Sequence, residues 1–124
     1  MNKPILIQNI IKRFNKKINM SADKSLSIRF AILASLATGR SKAYNLLKSE
    51  DVMNTLKCLK KLGVKIKLNE KYCSIDGRGL NSYVFKDNLT IDAGNSGTAA
   101  RLICSTLIKS PKKIKIIGDR SLSK

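Results

Sequence analysis

The chain has 124 residues, 43% of them hydrophobic and 27% charged, a balance that fits one folded globular domain and excludes a disordered, collagen-like or disulfide-dense chain. Its 25 Lys and Arg against 8 Asp and Glu leave a net charge of +17, with no histidine, so serine and cysteine triads and most zinc sites are excluded for this chain acting alone. Apolar runs fall short of the roughly 20 residues of a membrane-spanning helix, and the stretch Pro4–Ile7 is too short for a signal-peptide core, so a cytoplasmic protein without a membrane partner is expected.

In chain order, an apolar opening at Ile5–Ile7 and a basic stretch from Lys12 to Lys17 precede Ile18 and Met20, which alternate as a short strand ending at Ser21. A helix should follow, with Asp23 as N-cap, Leu26, Phe30, Leu33 and Ala37 at helical spacing, and Gly39 as the stop. Ala43–Leu47 reads as extended. Ser49 opens a second helix, with Glu50 and Asp51 in the first turn, Lys57, Lys60 and Lys61 toward the end, Val52, Leu56 and Leu59 as buried stripe, and Gly63 closing it. Val64–Leu68 and Tyr72–Ile75 then alternate around Asn69 and Glu70 as a hairpin.

Beyond a polar link from Asp76 to Asn88, a strand at Leu89–Asp92 leads through Gly94 and Gly97 into a helix carrying Leu102, Ile103, Leu107 and Ile108, which Pro111 keeps from continuing. Ile114, Ile116 and Ile117 form a last strand before Gly118 and Asp119. Superposing Arg29 on Arg101 repeats strand, small-residue turn, helix, Arg and returning strand in the same order, which reads as a βαβαββ unit with an incomplete second copy.

The charge alone invites nucleic acid, but 19 of the 25 basic residues are Lys, scattered beside 15 Ile and 10 Asn, the signature of an A/T-rich coding sequence. A reader of phosphates and bases would favour Arg and interleave aromatics, and none of the three Phe and three Tyr sits within a basic cluster of RNP type. No specific nucleic-acid partner is expected, and a small basic nucleic-acid-binding module is kept as an alternative. Cys58, Cys73 and Cys104 lack paired spacing and read as small apolar residues; no metal site is expected.

Two constellations could carry chemistry. Ser21 to Arg29 places Lys24 and Ser25 at a helix N-terminus and Arg29 about one turn on, an arrangement suited to an anion: free backbone N–H groups, a mobile point charge and a planar guanidinium fork. A capped helix with solvated Lys and Arg would show the same spacing. Asp92 to Arg101 puts Gly94 and Gly97 in a turn at another helix start, where the backbone can approach a ligand, although a plain helix-start turn reads alike. Neither a Walker loop nor GxGxxG is present. Packed as a repeat, the two starts would meet at one cleft lined with Lys24, Arg29 and Arg101 and fit a small polyanion.

These residues resemble a known family. Ala22 to Leu36 is similar to the opening Gly/Ala-Asp-Lys-Ser-x-Ser-x-Arg motif of the 5-enolpyruvylshikimate-3-phosphate synthases (3-phosphoshikimate 1-carboxyvinyltransferases). Asn45–Val52 with Leu62–Val64, Gly94 to Arg101, and Gly118 to Leu122 resemble the next three motifs, in order. The resemblance implies an α/β (α+β) chain with the enolpyruvyl transferase fold, an inside-out α/β barrel of repeated βαβαββ units, here about one and a half of them. Residues 1–20 would be a strand and crossover segment belonging to the other domain, and residues 21–124 an incomplete substrate-binding domain. A UDP-sugar enolpyruvyl transferase shares the fold and is the minor alternative, its opening resembling Lys-Asn-Ala rather than Asp-Lys-Ser.

The implied reaction transfers the enolpyruvyl group of phosphoenolpyruvate to the 5-hydroxyl of shikimate 3-phosphate, in the shikimate pathway to aromatic amino acids. No cofactor or metal is implied, and the full-length enzyme would be a monomer. By resemblance, Lys24 contacts both substrates and is catalytic, Ser25 and Arg29 bind shikimate 3-phosphate, and the Gly97 backbone meets phosphoenolpyruvate with Asn95, Thr98 and Arg101 shaping that turn. Ile28 departs from the His or Asn of many members. The chain also stops at Lys124, inside the fourth motif, so a fragment inactive by itself is expected.

Overall fold

The computed structural model describes residues 21–122. The strand expected at Ile18 and Met20, like the 1–20 segment, lies outside the described residues. The first element is helix α1 (Lys24–Leu36). Asp23 starts it as expected: its carboxylate accepts the Leu26 N–H at 2.7 Å, which satisfies one of the backbone donors a helix start leaves unpaired.

The helix ends sooner than Gly39. Ala37 is its C-cap, and Gly39 already belongs to strand β1 (Thr38–Tyr44). The extended segment therefore begins well before Ala43, and its polar residues are held by pairing with a neighbouring strand instead of by burial. The apolar stripe is also corrected. Leu26 and Leu33 are exposed, and the buried side of α1 carries Ser27, Ile28, Ala31, Ile32, Ala34 and Ser35. This helix is apolar on most sides, so spacing alone does not choose the buried face.

Helix α2 (Glu50–Lys61) follows, with Val52, Leu56 and Leu59 buried as expected. Gly63 at φ 86° closes it: the Gly63 N–H donates to the Lys60 carbonyl and the Val64 N–H to the Leu59 carbonyl, the two bonds of a Schellman turn. Strands β2 (Lys65–Leu68) and β3 (Tyr72–Arg78) form the hairpin, its turn held by the Asn69 carboxamide oxygen accepting the Lys71 and Tyr72 N–H groups.

Strand β3 runs on through Asp76 to Arg78, residues whose polarity reads as a link. Two tertiary contacts account for this. Asp76 pairs across the sheet with Arg40, whose Nε donates to it at 2.6 Å. Gly77 lies against α1 so closely that a Cβ there would sit 2.3 Å from the Ala34 and Ala37 carbonyl oxygens. The antiparallel sheet has the order β1-β3-β2, with α1 and α2 packed together over buried Cys73 and Ile75.

Strand β4 (Leu89–Asp92), helix α3 (Gly97–Thr106) and strand β5 (Ile114–Ile117) form a parallel βαβ unit, with Leu89 opposite Ile114 and Asp92 opposite Ile117. The helix stops before Leu107 and Ile108, which the apolar spacing places on it, well short of Pro111. Ser105 and Thr106 donate their hydroxyls back to the carbonyls of Arg101 and Ile103 and compete with helix continuation. Among the described residues, no helix is long and apolar enough to cross a membrane.

Candidate functional site

Helix α2 joins the two sequence constellations. From its first turn, Asp51 forms an ion pair with Lys24 at 2.9 Å. One turn further on the same side, the Asn54 amide covers Gly94, where a Cβ would lie 2.3 Å from Asn54 Nδ2. Cys58 Sγ then donates to the Asp92 carbonyl at 3.1 Å, and Lys61 Nζ to the Thr90 carbonyl at 3.3 Å. One face of α2 thus lies along β4 and the turn that opens α3, while its N-terminus holds the start of α1; α1 also packs on α3 directly.

The start of α1 is fixed from behind. Ser27 Oγ donates to the Asp23 carbonyl at 2.6 Å and accepts the Leu47 N–H at 3.1 Å, tying the loop before α2 to the first turn of α1. That arrangement leaves Ser25 half-buried and Lys24 and Arg29 exposed.

The second constellation is a compact turn. Gly94 has φ 60° and donates its N–H to Asp92 Oδ1 at 2.8 Å, and Ser96 caps α3 by accepting the Ala99 N–H. The segment after β5 folds over it. The Gly94 carbonyl accepts the Asp119 N–H, and the Asp119 carboxylate accepts the N–H groups of Ser121 and Leu122. These bonds, that of Leu122 foremost, lower the Asp119 pKa. Ser121 Oγ reaches Asn95 Oδ1 at 3.2 Å, while Thr98 and Arg101 stand exposed and Gly97 is half-buried.

Lys24 and the Gly94 turn therefore both lie against the first turns of α2. Arg29 and Arg101 have no ion pair among the described residues. The two helix starts are not superposable residue for residue: Arg29 follows its cap Asp23 by one residue more than Arg101 follows Ser96. A groove of about 90 Å³ lined by Tyr83, Phe85, Leu107 and Lys112 lies at the other end of α3 and includes none of the expected site residues.

Spacing did not single out Asp51 and Asn54, the α2 residues that touch Lys24 and Gly94. Asp51 reads as a carboxylate suited to a helix start, and its partner is set only by tertiary packing. Cys58 and Cys73 are buried as expected, and burial raises both thiol pKa values; Cys104 is instead exposed on α3 and is not a core residue.

The EPSP synthase (3-phosphoshikimate 1-carboxyvinyltransferase) family model matches residues 8–124. The chain belongs to the EPSP synthase family. It is 40% identical over 107 residues to a 3-phosphoshikimate 1-carboxyvinyltransferase of Streptococcus pyogenes serotype M49, covering 86% of this chain and 25% of that protein. A serotype M4 relative of the same name matches to the same extent. The solved EPSP synthase from Acinetobacter baumannii superposes with a TM-score of 0.72 at 31% identity, covering 88% of this chain and 25% of that one. The fold is that of the enolpyruvyl transferases, and this chain spans about a quarter of the length of the EPSP synthases it matches.

Proposed function

We propose that this chain forms part of the substrate cleft of an enzyme that transfers the enolpyruvyl group of phosphoenolpyruvate to the 5-hydroxyl of shikimate 3-phosphate. The observation that carries this reading is the joining of two anion-suited helix starts through α2, in a chain of the EPSP synthase family. In the reaction the 5-hydroxyl oxygen loses its proton and bonds to the enolpyruvyl carbon, the carbon–oxygen bond to phosphate breaks, and phosphate leaves, taking up the proton in the overall balance. Both substrates are anions, so the cleft needs preorganised cations and N–H groups.

Lys24 contacts both substrates and stabilises charge developing on the enolpyruvyl group. Ser25 and Arg29 bind shikimate 3-phosphate, Arg29 through its planar fork. Gly97 lets its backbone approach phosphoenolpyruvate, while Asn95, Thr98 and Arg101 shape and charge that turn. Residues 21–124 act as an incomplete substrate-binding domain, and a cytoplasmic, monomeric full-length enzyme accompanies this reading.

Titration of the purified chain with shikimate 3-phosphate, followed by NMR, tests it. Shifts are expected at the starts of α1 and α3, and Lys24→Ala should weaken binding by about tenfold or more, the scale of one lost charge-assisted hydrogen bond. Turnover is not expected from this chain alone, because proximity and water exclusion need the rest of the cleft; product formed above a Lys24→Ala control would contradict that. Indifference to shikimate 3-phosphate together with steeply salt-dependent binding of DNA or RNA would favour the basic-module alternative.

A further inference from the structure

We propose that Asp51 is the positioning residue for Lys24, its carboxylate holding the ammonium at the mouth of the site where an anionic substrate meets it. The inference rests on the functional reading above and deepens it by naming the group that sets its central cation. A lysine carries a point charge on a flexible stem whose rotamer freedom opposes fixing it in place. In a chain with net charge +17, the overall positive field also opposes holding an unpaired ammonium in place. Something must hold Lys24 if it is to be preorganised.

Among the three expected cations of the site, Lys24 alone has a carboxylate partner among the described residues, at 2.9 Å. The Asp51 side chain is 20% exposed and that of Lys24 55%. The anchor is thus largely enclosed while the ammonium keeps an open side, and an ammonium has three donors to share. Asp51 also lies in the first turn of α2, where unpaired backbone N–H groups favour a negative charge. The nearby alternatives are occupied or exposed: Asp23 is used in capping α1, and Glu50 faces solvent.

Acylation of the purified chain by acetic anhydride, followed at Lys24 by mass spectrometry with and without shikimate 3-phosphate, tests the role. Asp51→Asn is expected to raise the Lys24 rate about threefold over that of other lysines, the scale of an exposed ion pair, and to remove most of the protection given by the ligand. Asp51→Glu should restore both, which a purely structural role in α2 would not require. An unchanged Lys24 rate and protection in Asp51→Asn, or a rise shared equally by Lys48 and Lys57, overturns the inference. If shikimate 3-phosphate fails to protect Lys24 in the unsubstituted chain, the functional reading falls and the positioning role with it; the rates without ligand show that failure apart from a failure of the pairing.

Discussion

Two glycines separate what the fold needs from what the site needs. A methyl group on Gly77 would lie 2.3 Å from the Ala34 and Ala37 carbonyl oxygens, backbone atoms of α1 and its cap that cannot step aside. Gly77→Ala is therefore expected to destabilise the chain by about 1–3 kcal/mol, read as a fall in Tm. On Gly97 the same methyl would stand 3.6 Å from Leu122 Cδ1, an ordinary contact, at the first residue of α3. Gly97→Ala should keep stability within about 0.5 kcal/mol. Under the proposed function it should nevertheless weaken phosphoenolpyruvate binding, because the backbone loses its close approach to the ligand. Unchanged phosphoenolpyruvate shifts in NMR titration of the variant would remove Gly97 from the site.

Strand pairing accounts for an acid sensitivity at the next scale. The hydrogen bond from Arg40 holds the Asp76 pKa below its ordinary value and raises that of Arg40. A carboxylate lowered in the folded state contributes stability above its unfolded pKa and loses it as pH falls through the folded one. Thermal melts should therefore fall with acid below about pH 4. Asp76→Asn should lower Tm at neutral pH and flatten that acid slope, the two chains melting more alike once Asp76 is protonated. Parallel melting curves across the whole range would show that the pair does not couple β1 to β3.

The same elements show what was legible. In α2 the acidic first turn, the lysines of the last turn, the apolar spacing and Gly63 all agree, so its face and both ends were readable. For α1 only the start was. Its buried Ser27 and Ser35 are satisfied by local carbonyls and by distant groups, Leu47 N–H and Tyr83 OH, that spacing does not reveal. Strand β1 carries Thr, Gly, Arg, Ser and Lys at the edge of the described sheet and is held by pairing with β3. The starts of α1 and α3 were legible because a helix start with its cap and small residues is local; the Lys24–Asp51 pair was not, because α2 must first be packed.

Over the whole molecule, a charge of +17 coexists with uncovered apolar surface. Leu26 and Leu33 are 46% and 66% exposed, two turns apart on the side of α1 turned away from the core. Leu80, Val84 and Ile108 are exposed as well. Apolar patches favour association, while like charges oppose it over the Debye length, about 10 Å at 0.1 M salt and longer in dilute buffer. The two terms therefore separate by ionic strength. In low salt, repulsion should keep the purified chain dispersed. Added salt shortens the repulsion without weakening apolar burial, so sedimentation velocity should show association that grows with salt and with protein concentration. Leu26→Ser with Leu33→Ser should reduce it at every salt concentration, since the exposed α1 face then offers little to bury. A chain that stays monomeric at high salt, or a double variant that associates as readily as the unsubstituted chain, would show that this face does not drive self-association.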